Sequence, residues 1–277
     1  MKINKVKSLA KINLALYVTG KLIKLHKIES IIKFIKLHDS ITIKKINTLK
    51  HDISFNGNFS QNINKNNTVN KLFNILDKKK LLNNKKFKIK IKKNIPQEAG
   101  LGGGSMNAAN ILSFLIKKKF IKLNQKKILE ITNSIGSDVI LGINPINTVL
   151  SSKNLIKKFA KSPNFHTLLV QPNFGCSTRK IYSGVKKYTK PIFNNPKLNM
   201  FSLKFLLEQE NALEKVAFSK YPKLRIIKSF LENLNKPLFV RMTGSGSVLV
   251  AYYQKKQDCE LAKVRFKRKY RNYWCIT

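Results

Sequence analysis

Cysteine is scarce in this sequence. Cys176, Cys259 and Cys275 are odd in number, widely spaced and in no CxxC arrangement, which excludes a disulfide framework or a zinc site and leaves reduced thiols. Long apolar runs are absent as well. Nothing approaches the roughly 20 residues of a membrane span, and the first residues carry no signal-peptide-like apolar core. A soluble, cytoplasmic protein without a membrane partner is expected. Acids are few: 13 Asp and Glu stand against 55 Lys and Arg in 277 residues, a formal charge of +42. Such a balance usually points to nucleic acid. Here the lysines are spread over the whole length together with Asn and Ile, residues with AT-rich codons, so the charge reads as genomic bias. No specific nucleic-acid partner is expected, only non-specific RNA adhesion at low salt. The 43% hydrophobic content is enough for two modest cores.

Glycine is also sparing, which makes its distribution informative. Four of the 12 glycines fall at 100, 102, 103 and 104, inside IPQEAGLGGGSMNAAN (95–110). Upstream, Phe87, Ile89 and Ile91 alternate with lysines, the period of a strand with one buried face. Downstream, Ala108, Ile111, Leu112 and Leu115 recur at helical spacing, with Ser105 expected as the N-cap. Strand, glycine loop and helix in this order aim backbone N–H groups and a helix dipole at the loop's occupant, as an anion such as phosphate requires. A flexible linker is the alternative. No Lys-Ser/Thr follows the last glycine, which excludes a Walker-type loop.

Along the chain, VKSLAKINLALYVTG alternates Ile12, Leu14, Leu16 and Val18 with Lys11, Asn13, Ala15 and Tyr17, so Lys11 and Asn13 share a face. SITIKKI and DISFNG read as strands, and NGNFSQNINKNN as a low-complexity loop. Val69, Leu72, Phe73 and Leu76 form a helical stripe capped by Asn67 or Thr68. A second helix runs from Asn124 to Gly136, with Ser137 and Asp138 just beyond it. Periodicity fades over 152–164, suggesting domains at 1–155 and 156–277. Beyond this, FHTLLVQP reads as a strand and SLKFLLEQENALEKVAF and PKLRIIKSFLENL as helices. LFVRMTGSGSVLVAYY reads as two strands joined by a turn, and YWCIT as a final strand. The architecture is mixed α/β and α+β.

Four pieces in fixed order carry a resemblance: Ala10–Leu14 (AKINL), the loop with Gly102–Gly104, Gly136–Val139 (GSDV) and ENALEKVAF at 210–218. They resemble the GHMP kinase superfamily, and within it the branch acting on a cytidine diphosphate methylerythritol in isoprenoid precursor synthesis. The resemblance implies an N-terminal domain like domain 2 of ribosomal protein S5, a ferredoxin-like C-terminal domain, and ATP with Mg²⁺ as phosphoryl donor. The γ-phosphoryl group would go to the 2-hydroxyl of the methylerythritol unit. Lys11 and Asp138 would be catalytic, the carboxylate orienting the hydroxyl proton and the lysine stabilising developing charge. Taken alone, Asp138 reads as a helix cap and Lys11 as one solvated lysine among many.

The same resemblance places ATP on Pro96, Gln97, Glu98, Ala99, Gly100, Leu101, Gly102, Gly103, Gly104, Ser105 and Met106, with Asn67 near the adenine. Ser105 is the best magnesium ligand the sequence offers. Asn13 would meet the methylerythritol, His26 and Tyr182 the cytosine, and Gly244 the loop or substrate. Helix capping for Asn67, partly buried packing for Tyr182 and a plain hairpin turn for Gly244 are the alternatives. Leu25, Glu98, Met106 and Ile140 depart from the pattern, and a carboxylate at 98 would repel a triphosphate unless it points away. The competing readings are a homoserine- or mevalonate-type kinase and a basic RNA-binding protein, the latter requiring clustered lysines with exposed aromatics. The sequence leaves the oligomeric state open.

Overall fold

The computed structural model describes residues 3–23, 25–161 and 164–277. Ser162 and Pro163, in the stretch expected to hold the domain boundary, lie outside them. The chain forms two compact units, each gathered from several stretches. The first holds Met1–Lys11, Phe34–Gln97 and Gly102–Pro145; the second holds Ile12–Lys33, Glu98–Leu101 and Ile146–Thr277. Two long strands, β1 (Asn4–Lys21) and β2 (His26–Ile46), contribute to both. No helix among the described residues is long and apolar enough to cross a membrane.

The first unit adds β3 (Asp52–Asn56), α1 (Thr68–Lys78), β4 (Lys86–Lys92), α2 (Gly103–Lys117) and α3 (Gln125–Ile135). Strand β4 pairs antiparallel with the end of β2, Ile41 opposite Ile91 and Ile43 opposite Ile89, and parallel with β3. Its alternation works as read: Phe87, Ile89 and Ile91 are fully buried. They pack with the α1 stripe of Val69, Leu72, Phe73 and Leu76 and with Ile111, Leu112 and Leu115 of α2. Each such side chain contributes roughly 1.5–3 kcal/mol by leaving water. Asn67 caps α1 by accepting from Val69 and Asn70 N–H at 3.0 and 3.1 Å. Asn124 caps α3, which ends at Gly136.

The expected cap at Ser105 is a correction. Helix α2 begins three residues earlier than that cap implies, and Gly102, with φ of 71°, occupies the N-cap position without a side-chain bond. A glycine can take that left-handed backbone at little cost, so the helix starts as soon as the glycine turn closes.

The second unit continues with β5 (Thr148–Leu150), β6 (Ile156–Lys158), β7 (His166–Gln171), α4 (Thr178–Ser183), α5 (Leu203–Leu207), α6 (Glu214–Lys220) and α7 (Pro222–Glu232). It closes with β8 (Phe239–Met242), β9 (Leu249–Tyr253), α8 (Lys256–Lys269) and β10 (Trp274–Ile276). Four antiparallel strands stand in the order β10-β7-β9-β8. This is the split βαβ arrangement of ferredoxin-like folds. Helix α7 packs on β8 and β9, and α8 on β7 and β9. Leu224, Ile227 and Leu231 of α7 and Ala262 and Phe266 of α8 close the core over Leu168, Val170, Leu249 and Ala251.

The segment expected as one helix over 202–218 is instead α5 and α6 with a break between them. At the break the backbone turns to β1: Leu16 N–H donates to Glu210 O at 3.0 Å and Ala212 N–H to Leu16 O at 2.8 Å. Tertiary pairing overrides local helical preference.

Candidate active site

In the first unit, Lys11 is a buried lysine on β1. Its ammonium lies 3.4 Å from Asp138 Oδ2; the lysine side chain is 5% exposed and the aspartate 31%. Glycine decides how Lys11 sits. A Cβ added at Gly102 would stand 3.0 Å from Lys11 Cγ and 3.1 Å from its Cε, so the aliphatic stem lies directly across the glycine turn. Asp138 is delivered by a 3-10 turn over Val139–Gly142, in which Leu141 N–H donates to Asp138 O at 3.2 Å. That turn rests on α2, because a Cβ at Gly142 would fall 2.6 Å from Ala109 Cβ and 3.0 Å from Met106 Sδ. The Asp138 side chain makes no cap bond to this turn. It faces the ammonium instead.

Helix α2 presents its first N–H groups, on Gly103, Gly104 and Ser105, ahead of the first intrahelical bond, Met106 N–H to Gly102 O at 2.9 Å. These donors and the helix dipole favour an anion at this end. Met106 itself is fully buried, its thioether turned toward Gly142. The α1 start is tied to the same place, since Thr68 Oγ1 donates to Gly104 O at 2.6 Å. Asn67, one residue earlier, spends its carbonyl on capping and donates its amide to Asn64 O. Gln97 Nε2 donates to Phe59 O and Gln61 O at 3.0 and 2.7 Å, pinning the low-complexity loop beside Pro96.

In the second unit, Glu98–Leu101 interlock with the turn between β8 and β9. Gly100 has φ of 72°, and a Cβ there would meet Thr243 O at 1.9 Å. Only glycine fits. Gly244 lies against the same loop, its own would-be Cβ 2.9 Å from Gly100 O and 3.4 Å from Asn13 Oδ1. Glu98 O accepts from Cys176 and Ser247 N–H, both at 3.0 Å, and Ala99 O from Val248 N–H. The Glu98 side chain lies over Gly175, with Oε2 2.8 Å from the position a Cβ there would take. Burial first, and the Glu98 charge second, push the Cys176 thiol up to about 12, so it stays protonated.

Asn13 is buried. Its N–H donates to Thr243 Oγ1 at 2.9 Å and its Nδ2 to Ser30 Oγ at 2.7 Å, which leaves Oδ1 facing Thr243 and Gly244. His26 lies 5.2 Å, ring to ring, from Tyr182 and 6.4 Å from Tyr188. Burial, helped by the Lys21 charge, lowers the His26 pKa, so near neutral pH its ring carries one donor and one acceptor nitrogen. Leu25 beside it is exposed.

The structure therefore brings Lys11 to Asp138 and Gly102, Asn13 to Gly244, and His26 to Tyr182. Sequence reasoning missed Thr243 and Tyr188. Thr243 stands inside the quoted RMTGSGS run, yet nothing in its spacing marks the hydroxyl. Tyr188 lies in a stretch without periodicity.

A glycine turn opening a helix beside a lysine–carboxylate pair suits phosphoryl transfer to a hydroxyl, and the family models agree. GHMP kinases N terminal domain matches residues 67–148 and GHMP kinases C terminal matches residues 196–272; the chain belongs to the GHMP kinases, with ATP as co-substrate. The 4-diphosphocytidyl-2-C-methyl-D-erythritol kinase of Pelagibacter ubique is 58% identical over 98% of this chain and 97% of its own length. That of Petrotoga mobilis is 31% identical over 88% and 96%. Within the GHMP kinases the chain belongs to the 4-diphosphocytidyl-2-C-methyl-D-erythritol kinase family. A crystal structure of 4-(cytidine 5'-diphospho)-2C-methyl-D-erythritol kinase shares the fold with a TM-score of 0.75 at 20% identity, covering 98% of both chains. A homoserine kinase from Cytophaga hutchinsonii does so with 0.72 at 13%, covering 100% of this chain and 93% of its own.

Proposed function

We propose that this kinase transfers the γ-phosphoryl group of Mg-ATP to the 2-hydroxyl of 4-diphosphocytidyl-2-C-methyl-D-erythritol. The observation that carries the chemistry is the buried Lys11 ammonium, 3.4 Å from the Asp138 carboxylate and laid across Gly102. A tertiary alcohol is a weak nucleophile, and phosphoryl transfer depends on positioning and on neutralising spread negative charge. Asp138 orients and accepts the hydroxyl proton; Lys11 pairs with that carboxylate and stabilises charge on the transferring group. The Gly103–Ser105 amides and the dipole of α2 hold the phosphates.

Among the described residues no three His, Cys, Asp or Glu side chains cluster as a metal-binding group. Magnesium, which keeps several waters and substrate phosphates as ligands, accordingly fits as part of Mg-ATP, with the Ser105 hydroxyl as the ligand this chain offers. When bound, the ion neutralises phosphate charge. Asn67, at the start of α1, lies toward the adenine in this reading. His26 reads the cytosine edge with one donor and one acceptor, and Tyr182 stacks on the ring. Asn13 binds the methylerythritol through Oδ1, and Gly244 keeps the turn low enough for it to do so. Small-molecule chemistry of this kind belongs in the cytoplasm, and no nucleic acid takes part.

The test is ADP release by the purified protein with Mg-ATP and the cytidyl acceptor, beside mevalonate, homoserine and no acceptor. Turnover confined to the cytidyl acceptor is expected. Preference for mevalonate or homoserine would refute the substrate assignment.

A further inference from the structure

A buried carboxylate far from Asp138 in sequence has so far been given no part. Asp39 lies in β2 and is fully buried. The β2–β4 ladder pairs Ser40 with Lys92, so Asp39 stands one step further, where the chain leaves β4 toward the glycine turn. Four donors converge on its two oxygens. Asn94 and Ile95 N–H donate to Oδ1 at 2.8 and 2.9 Å; Asn107 Nδ2 donates to Oδ2 at 2.9 Å; the Lys93 ammonium pairs with Oδ2. Lys93 and Asn107 are themselves 5% and 1% exposed.

The donors come from both ends of the turn. Lys93, Asn94 and Ile95 precede it, and Asn107 follows it inside α2. One carboxylate thus ties the entry and the exit of residues 96–106 to a single point on β2. The tie reaches the helix start directly: a Cβ at Gly103 would lie 3.0 Å from Ile95 Cγ2 and 3.2 Å from Lys93 Nζ. Gly103 therefore rests on the residues that Asp39 holds. A buried ion pair is a poor source of stability compared with apolar packing, so its value here lies in the geometry it enforces.

We propose that Asp39 is a positioning residue for phosphoryl transfer: it fixes both ends of the glycine turn and so sets the aim of the Gly103–Ser105 amides at the nucleotide. This rests on the reading of that turn as the seat of the ATP phosphates. It predicts a defect in nucleotide use that is separable from acceptor use, because misplacing phosphate donors by an ångström is costly while the acceptor contacts lie elsewhere in the chain.

The experiment compares Asp39→Asn, Asn107→Ala and Asp77→Asn with the wild type, measuring KM for Mg-ATP, KM for the acceptor, equilibrium binding of Mg-ATP and thermal midpoint. Asp77, paired with Lys86 and His51 in the same unit, serves as the control for a lost, partly exposed ion pair away from the turn. Asp39→Asn should raise KM and Kd for Mg-ATP by about tenfold or more, and Asn107→Ala by about threefold, with acceptor KM within about twofold. Asp77→Asn should lower the thermal midpoint and leave nucleotide binding unchanged. Unchanged nucleotide constants in folded Asn107→Ala overturn the proposal, whether or not Asp39→Asn folds. So does a rise in Asp77→Asn equal to that in Asp39→Asn. Wild-type protein that binds no Mg-ATP would remove the reading of the turn itself, an outcome distinct from wild type and variants binding alike.

Discussion

Replacing Lys11 by Met separates what the lysine does for stability from what it does for catalysis. Methionine keeps an unbranched stem over Gly102, where the Lys11 Cγ and Cε positions lie within 3.1 Å of a would-be Cβ, so packing on the turn is largely retained. Charge is what is lost. At 3.4 Å the Lys11–Asp138 attraction is about 4–5 kcal/mol for an effective dielectric of about 20. Asp138 is 31% exposed, however, and water solvates it once the partner is gone, so the stability loss should be only about 1 kcal/mol. The transition state has no such recourse. Losing one preorganised charge from a site that stabilises spread phosphoryl charge costs about 3–4 kcal/mol, or a hundred- to a thousandfold in kcat. Denaturant titration and steady-state ADP release read the two numbers on one preparation. A kcat reduced by less than about tenfold in folded Lys11→Met would refute the reasoning, and so would a stability loss as large as the catalytic one.

Gly100→Ala should destabilise the protein by about 2 kcal/mol or more, because a left-handed φ is imposed on alanine and its Cβ would press on Thr243 O; equilibrium denaturation measures it. Tyr182→Ala should raise KM for the cytidyl acceptor about tenfold through loss of stacking and leave KM for Mg-ATP unchanged, as separate substrate titrations will read. His51 supplies a pH dependence. Its Nδ1 accepts from Phe87 N–H at 3.0 Å, and burial lowers its pKa against the opposing pull of Asp77. The unfolded chain then binds the extra proton first, so stability is full above about pH 6.5 and falls as the pH drops toward the lowered folded value. Denaturation midpoints across pH 5–8 should show this slope, reduced in His51→Gln, whose amide carries no proton to gain; the remainder belongs to His26, whose pKa is lowered as well.

The parts of the fold legible in the sequence are those fixed by neighbours in the chain. The β4 alternation, the α1 stripe with its Asn67 cap, and the Asn124 and Gly136 ends of α3 all follow from local spacing. The glycine turn between β4 and α2 is legible too, since only the order of strand, turn and helix is needed. The break between α5 and α6 was not. It exists because Leu16, far away in sequence, pairs with Glu210 and Ala212, and because Asn211 Nδ2 donates to Met242 O and Gly244 O at 2.7 and 2.8 Å. Buried acids escaped for the same reason. Asp39 and Glu29 find their donors in remote backbone amides, those of Asn94 and Ile95 for the first and Ile192 and Phe193 for the second. Periodicity carries no trace of such partners. The Lys11–Asp138 pair was nameable only through resemblance, because one lysine among so many gives no local signal. The role of Glu98 turned on geometry too: its side chain lies over Gly175, a contact that spacing along the loop could not reveal.

The central claim is that Asp138 handles the acceptor proton while Lys11 and the α2 amides handle phosphate charge. ADP release by wild type and Asp138→Asn, with Mg-ATP and 4-diphosphocytidyl-2-C-methyl-D-erythritol, tests it most directly. Turnover should fall by about a hundredfold or more in the variant, with KM for Mg-ATP within about twofold of wild type. A folded Asp138→Asn protein that retains wild-type kcat would contradict it.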